Sequence, residues 1–388
     1  MSRTPGTTSA ARRVAGPDIP GWLRAALVVL LLYVFLAGVK ALESGIRSLG
    51  EGFTDALFES ASNPLAGLFV GILATTLVQS SSVTTATIVA LVGSGTLTVA
   101  VAIPMVMGAN IGTTVTNTLA SLGYLRRSLE FRRAFTAATM HDFFNLAAVA
   151  VLLPLEMATH YLARSAQWLT DLLSRSPRAG TEAGEGIVKQ AFAAPARLMG
   201  RIAEACGLRG GALGLALLIA GLAAIFLALF FITRNMRLLM MGRIERSMNA
   251  VLAKGAGLPA MAVGLVITVA VQSSSITTAV LVPMVGAGAL TVYNAYPVTL
   301  GANLGTTVTA LLASLAAARP EGLTIALTHT LFNLSGILLW YPVPLLRRMP
   351  LLLAARLAHA AEIRKSIVLA YVVGAFVIVP LVGILLLR

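Results

Sequence analysis

The sequence is poor in cysteine and in charged residues. Its 388 residues include a single cysteine, Cys206, so an intramolecular disulfide is excluded. Charged residues make up only 11% of the chain, whereas 57% of the residues are hydrophobic and the mean hydropathy is +0.86. A soluble domain of this length would not bury so much apolar surface, so the composition predicts an all-α, polytopic membrane protein.

The net charge of +14 does not point to nucleic acid, because the Lys and Arg residues fall in short runs between apolar segments. That distribution is typical of membrane helices, whose cytoplasmic loops are enriched in cations. We predict that residues 1–21 form a cytoplasmic tail ahead of a first span at 22–42. No small-residue cleavage site closes this span early, so we interpret it as a retained helix rather than a signal peptide.

A hydroxyl-rich stretch interrupts the apolar segments twice. Residues 71–122 align with residues 264–315 without a gap, and more than half of the aligned positions are identical. Both copies contain Gln-Ser-Ser-Ser, then Thr-Thr-Ala, and later Gly-Ala-Asn-x-Gly-Thr-Thr-Val-Thr. Such self-similarity indicates an internal duplication. The residues of the paired motif are Gln79, Ser80, Ser81, Ser82, Gln272, Ser273, Ser274 and Ser275.

Each copy predicts a re-entrant hairpin followed by a broken helix. The apolar stretches 64–78 and 83–92 are each shorter than the ~20 residues of a full span, and a polar tip joins them. Irregular backbone is tolerated at membrane depth only where it is buried in protein or lines a wet cavity. Residues 97–122 are long enough to cross, but we expect Pro104 and the two glycines of the later motif to interrupt them.

The charge pattern predicts that the two copies have inverted topology. The loop after the first copy holds Arg126, Arg127, Arg132 and Arg133, whereas the equivalent loop after the second copy holds only Arg319. The same unit therefore carries the cytoplasmic signal in one copy and lacks it in the other. We divide the chain into a first half at 22–160 with its repeat core at 64–122, an extracytoplasmic and partly amphipathic linker at 161–210, a second half at 211–346 with its core at 257–315, and a basic cytoplasmic loop with a last span at 347–388.

Uncharged oxygen and hydroxyl groups suit the joint binding of a cation and an anion. Sodium is a hard cation that prefers such oxygens, and an anion prefers hydroxyl and N–H donors at the N-terminal end of a half-helix. The repeat cores hold no Lys or Arg, so bound cations would have to compensate the charge of an anion. Because the motif occurs twice with matching flanks, we favour this interpretation over serines that only join helices by hydrogen bonds.

Two further features leave alternatives open. His141 and Asp142 either form a satisfied pair at a helix end or supply an unpaired carboxylate to a cation site. Asn145 and Asn333 either orient the motif or bind a ligand. A nucleophilic serine would need a base and an oxyanion hole, and no Gly-x-Ser-x-Gly elbow surrounds these serines, so we predict that the protein is not an enzyme.

Together these residues resemble the type II sodium-dependent phosphate cotransporters. The resemblance covers most of residues 62–160 and 258–345. It depends on the paired motif and on the segments Met107 to Thr113, Phe131 to Phe135, His141 to Asn145 and Phe332 to Pro342. It implies two inverted repeats that import phosphate with sodium, electrogenically, by alternating access around a midplane site. Sodium ions are then co-transported ligands, and no other cofactor is expected.

The resemblance also implies site residues. The paired motif is expected to hold inorganic phosphate and part of the sodium shell, and Asp142 matches an acid that accompanies electrogenic transport. The remaining sodium positions match family residues or their counterparts in the first repeat. The expected sodium-binding residues are Gln79, Asn110, Thr113, Thr114, Asp142, Asn145, Gln272, Asn303, Thr306, Thr307 and Thr309.

The chain departs from the animal members of the family. Those members have a large disulfide-bonded loop between the halves, and a Gly-Asp pair where this chain has Arg126 and Arg127. The short linker and tail predict a bacterial member in the cell inner membrane. The alternatives are sodium-coupled uptake of another oxyanion, such as sulfate or arsenate, and a phosphate sensor without flux; a homo-oligomer is compatible with the sequence.

Overall fold

The computed structural model describes residues 19–49, 63–175, 182–254 and 257–387, and the regular secondary structure in these ranges is helical. Within them, six helical segments are long and apolar enough to cross a membrane, so the prediction of an all-α polytopic membrane protein is confirmed. The predicted tail at 1–21 lies outside the described residues except for its last positions. The helices are α1 (Gly21–Leu49), α2 (Pro64–Val78), α3 (Ser81–Ser94), α4 (Val99–Gly112), α5 (Val115–Ser121), α6 (Ser128–Thr159), α7 (Tyr161–Arg175), α8 (Glu182–Ala205), α9 (Gly210–Lys254), α10 (Leu258–Val271), α11 (Ser274–Gly286), α12 (Val292–Ser314), α13 (Glu321–Trp340), α14 (Pro344–Ile363), α15 (Ser366–Val373) and α16 (Val379–Leu387), with a π-helical turn at Gly374–Ile378.

Two short helices meet at a polar tip in the first repeat. Asn63 caps α2 by accepting a hydrogen bond from the Leu65 N–H at 2.9 Å, and proline occupies the first helical turn. Gln79 ends α2 in the left-handed conformation, with φ of 56°. Ser80 then begins α3, because its Oγ accepts a hydrogen bond from the Val83 N–H at 3.3 Å.

The second repeat builds the same tip. Gln272 ends α10 with φ of 57°, and Ser273 Oγ accepts a hydrogen bond from the Ile276 N–H at 3.4 Å at the start of α11. A non-glycine residue with positive φ is uncommon. Its recurrence at both glutamines shows that the duplicated sequence encodes a duplicated turn.

Glycines allow the first helix of each hairpin to lie directly against the long helix that follows. A methyl group on Gly71 or Gly108 would overlap a carbonyl oxygen of the facing helix, and the same holds for Gly264 and Gly301 in the second repeat. Small residues permit such close approach between membrane helices. The expectation that glycines would break the helix is therefore wrong for Gly108, which lies inside α4 and serves packing.

The long helix of the first repeat is interrupted between α4 and α5, at Thr113 and Thr114, and not at Pro104. In the second repeat α12 continues through the equivalent positions, so the expected interruption is absent from Val292–Ser314. The difference between the copies agrees with the residues that come next. Asn117 and Thr118 in the first copy favour helices less than Ala310 and Leu311 at the equivalent positions of the second copy. The Asn117 side chain also donates a hydrogen bond to Thr278 Oγ1 of the other repeat at 2.7 Å.

Helices α1 and α9 lie along each other beside the two repeats. Their backbones approach at Gly45 and Gly221, where an added methyl group would meet the backbone of the facing helix. Within α1, the buried Glu43 carboxylate pairs with Lys40 at 2.8 Å and with Arg47 at 2.7 Å. Hydropathy predicts a span at 211–233 followed by a basic cytoplasmic stretch that includes Arg234 and Arg237, but helix α9 continues through these residues to Lys254.

Two connecting segments contain more helix than the sequence predicted. The linker at 161–210 holds α7 and α8. The basic segment after residue 347 was expected to be a loop, but most of it is the helix α14. Its buried residues Leu351, Ala354, Ala358 and Ala361 recur every three or four positions and form one face, as in an amphipathic helix. This face packs against α6, which the charge count alone could not indicate.

We expect Gly301→Ala to destabilise the protein by about 1–3 kcal/mol, because the added methyl group overpacks the contact between α10 and α12. Thermal unfolding of the detergent-solubilised protein, followed by size-exclusion chromatography, measures the effect. Gly200→Ala is the matched control, since Gly200 is also helical and has nothing within 4 Å of an added methyl group. Equal melting temperatures for the two variants would contradict the packing argument.

Candidate substrate site

The two Gln-Ser-Ser-Ser tips line one cavity of about 610 Å³. All eight residues of the paired motif contribute to its wall. The rest of the wall comes from residues next to the tips and from one side of α9. These additional lining residues are Val78, Val83, Phe226, Leu229, Phe230, Thr233, Arg234, Arg237 and Ile276.

The N-terminal ends of α3 and α11 form the polar part of this cavity. Ser80 and Ser273 cap the two helices, and the following serines lie in their first turns. The first turn of a helix carries N–H groups without intrahelical partners and a partial positive charge. Together with the serine hydroxyls, two such ends provide a set of uncharged donors suited to an anion.

A threonine orients the glutamine of each tip. Thr116 Oγ1 donates a hydrogen bond to Gln79 Oε1 at 2.9 Å, and Thr309 Oγ1 donates to Gln272 Oε1 at 2.9 Å. Thr309 is among the predicted site residues, but its counterpart Thr116 was missed. The alignment of the two repeats contains the signal, since Thr116 falls on Thr309.

The predicted asparagines meet one another behind the tips and do not line the cavity. Asn303 Nδ2 donates hydrogen bonds to Asn145 Oδ1 and to Asn333 Oδ1, both at 2.9 Å. Asn145 Nδ2 in turn donates to the backbone oxygen of Asn110 at 3.0 Å. His329 Nε2 lies 3.2 Å from Asn110 Oδ1. This buried asparagine network joins the two repeats, and Asn145 and Asn333 both accept hydrogen bonds from Asn303 in this arrangement.

The predicted threonines of the later motif are also buried away from the cavity. Each hydroxyl donates a hydrogen bond to a carbonyl oxygen of the preceding turn, a geometry that leaves the hydroxyl oxygen able to accept a further contact. The donor–acceptor distances are 3.0 Å for Thr113, 3.0 Å for Thr114, 3.2 Å for Thr306 and 2.8 Å for Thr307.

His141 and Asp142 do not pair with each other. His141 Nε2 lies 3.1 Å from Asn145 Nδ2. Asp142 instead accepts a hydrogen bond at Oδ2 from the Tyr371 hydroxyl at 2.7 Å. Its Oδ1 is buried and accepts no hydrogen bond of regular geometry among the described residues, and the Thr114 side chain is another polar group close to the carboxylate. A buried carboxylate oxygen without a regular hydrogen bond is suited to a cation, which favours the second of the two alternatives for this pair.

The contribution of arginines from α9 to the cavity was also missed. Arg234 and Arg237 were assigned to a cytoplasmic basic stretch, because the span was expected to end near residue 233. The helix continues past them, and both side chains lie on the cavity wall. The available signal was the spacing of Phe226, Phe230 and Arg237, which places these residues on one side of a helix.

Six potential spans among the described residues, with a cavity lined by two duplicated hairpins, are the architecture of a polytopic membrane protein built from two repeats. The model of the family described as Na+/Pi-cotransporter matches residues 34–168 and 225–341, and the chain belongs to this family.

Relatives agree with this membership. The chain is 35% identical to sodium-dependent phosphate transport protein 2A of Ovis aries, over 92% of this chain and 67% of the relative. The same protein of Rattus norvegicus is 35% identical over 92% of this chain and 67% of the relative. Sodium-dependent phosphate transport protein 2B of Homo sapiens is 33% identical over 92% of this chain and 64% of the relative. No solved structure matches the chain.

We expect Asn303→Leu to lower the free energy of unfolding by about 1–3 kcal/mol, because Asn145 and Asn333 each lose a buried hydrogen-bond donor. Asn294→Leu is the control on the same helix, since the Asn294 side chain is only half-buried and outside the network. Thermal unfolding monitored by intrinsic tryptophan fluorescence compares the two variants. A loss of stability no greater than that of the control would show that the network does not hold the repeats together.

Proposed function

We propose that the protein is a secondary active symporter that imports inorganic phosphate together with sodium. The observation that carries this proposal is that both Gln-Ser-Ser-Ser tips line one cavity. Membership of the Na+/Pi-cotransporter family supports it, as do the relatives, which are named sodium-dependent phosphate transport proteins.

Phosphate binds between the tips in this proposal, held by Gln79 to Ser82 and by Gln272 to Ser275. Serine hydroxyls and the first-turn N–H groups of α3 and α11 supply the hydrogen bonds. These donors are uncharged, so they select an oxyanion by geometry without fully compensating its charge. Co-transported sodium supplies the remaining positive charge.

Sodium binds to the neutral oxygens next to the tips and behind them. The glutamines orient their carboxamide oxygens through Thr116 and Thr309. Deeper in the protein, the asparagine network and the threonine oxygens provide ligands of the kind that hard cations prefer. In this proposal a sodium ion replaces hydrogen bonds such as the one from Asn303 to Asn145. Asp142 supplies the additional site, supported by its buried Oδ1, which accepts no regular hydrogen bond among the described residues.

Alternating access arises when the two repeats move together against α1 and α9. The glycine contacts between α1 and α9 support a rigid pair, and separate glycine contacts hold each hairpin to its long helix. We further propose that the repeats are inverted, that the N-terminus is cytoplasmic and that the protein resides in the cell inner membrane. The uneven distribution of arginines after the two repeats supports this orientation.

Replacement of Ser81 or Ser274 by leucine is expected to abolish sodium-driven phosphate uptake, because both serines are buried at the cavity wall and leucine would fill the phosphate position. Uptake of labelled phosphate into proteoliposomes, with and without a sodium gradient, measures the effect. Ser314→Leu is the control, since the Ser314 hydroxyl bonds only within its own helix. Retained uptake by both tip variants would contradict the site, and competition by sulfate or arsenate tests the choice of anion.

Asp142→Gly is expected to remove net charge movement while some phosphate transport remains, because the variant loses the carboxylate of the additional sodium site. Transport current on solid-supported membranes, compared with isotopic flux in the same preparation, separates the two quantities. Asp171→Gly is the control, because Asp171 is exposed on α7. An unchanged ratio of charge to phosphate would count against this role of Asp142.

A further inference from the structure

One side of α9 forms the cavity wall that faces the tips. Phe226, Phe230, Thr233 and Arg237 recur at intervals of three or four residues, so they lie along one face of the helix, and Arg234 lies beside them. The wall is thus apolar along Phe226 and Phe230 and ends in two guanidinium groups.

The two arginines are the charged residues of this cavity. The residues that line it include no Asp or Glu, and the tips contribute only uncharged groups. Both arginine side chains are exposed. Among the side chains that the structure describes, no acidic group forms a salt bridge with either of them. Their positive charge is therefore available to a ligand in the cavity.

We propose that Arg234 and Arg237 form an anion-capture site at the cytoplasmic end of the span in α9, and that this site takes up phosphate from the serine-rich tips when this cavity is open. This inference rests on the proposed function and adds binding residues outside the duplicated motif. Arginine suits this task because its planar guanidinium binds phosphate oxygens in pairs, and because charge-assisted hydrogen bonds are about twice as strong as neutral ones.

The position of the arginines makes their contribution depend on the state of the transporter. They belong to α9, which lies along α1, whereas the tips belong to the repeats. Movement of the repeats against α1 and α9 changes the distance between the arginines and the tips. The capture site thus assists phosphate only in the conformation in which this cavity is open. Apolar walls on the approach strengthen the field of the arginines in the cavity.

The test is equilibrium binding of labelled inorganic phosphate to the purified full-length protein in sodium, at low and at physiological ionic strength. We expect Arg234→Gln/Arg237→Gln to weaken binding about tenfold at low ionic strength and to remove most of its dependence on salt. Arg234→Lys/Arg237→Lys should recover the salt dependence and part of the affinity, because it keeps the charge but loses the paired hydrogen bonds. Arg209→Gln, which removes an exposed arginine outside the cavity, should bind as the wild type does.

The results of these binding and flux measurements test the capture site and the symport separately. Unchanged affinity in the glutamine variant, with an intact size-exclusion profile, overturns the capture site. If that variant fails to fold, the lysine variant decides, because full wild-type affinity there would exclude paired guanidinium contacts with phosphate. Salt-dependent binding by the wild type without sodium-driven flux would overturn symport but leave the capture site standing, and no binding by the wild type would overturn both.

Discussion

Polar groups inside a membrane protein must find their partners within the protein, because lipid offers none. This constraint explains why the interior of the chain is organised around amides and hydroxyls that bind one another. Asn303 joins Asn145 and Asn333 at the centre of the molecule, and each tip serine at the helix start caps its own helix. A buried amide or hydroxyl can exchange its hydrogen-bond partner for an ion, but leaving it without any partner costs free energy.

Because the sequence is duplicated, both repeats use the same turns and caps to give their buried polar groups partners within the protein. Left-handed glutamines, capping serines and facing glycines recur in both copies, so both hairpins present their tips to a common cavity. The copies are nevertheless unequal. Asn117 in the first repeat reaches across to Thr278, and Asp142 stands where the second half has Thr330. Two repeats of similar backbone structure thus hold different sets of polar side chains.

Much of the architecture could be predicted because it depends on local patterns. Short apolar stretches around Gln79 and Gln272 indicated the hairpins, and the repeat indicated that their tips belong together. The features that were not predicted depend on contacts between segments that are distant in the sequence. Helix α14 was missed because its many basic residues suggested a loop, although its alanines form a face that packs on α6. The asparagine contacts could not be predicted because the sequence alone does not show which side chains meet in the folded protein. The arginines of α9 were not expected at the cavity, because hydropathy marks where apolar residues stop, not where a helix ends.

The location of those arginines bears on coupling itself. If the proposed capture site belonged to the repeats, its charge would travel with phosphate, and the anion would no longer need sodium to compensate it. On α9, the arginines can attract phosphate but remain behind when the repeats move. The tips keep only neutral donors, so a phosphate ion held by the tips away from the arginines must have its charge balanced by cations within the moving unit. Because the arginines lie on α9 and the tips on the repeats, the protein can draw phosphate off the tips without weakening the dependence of transport on sodium.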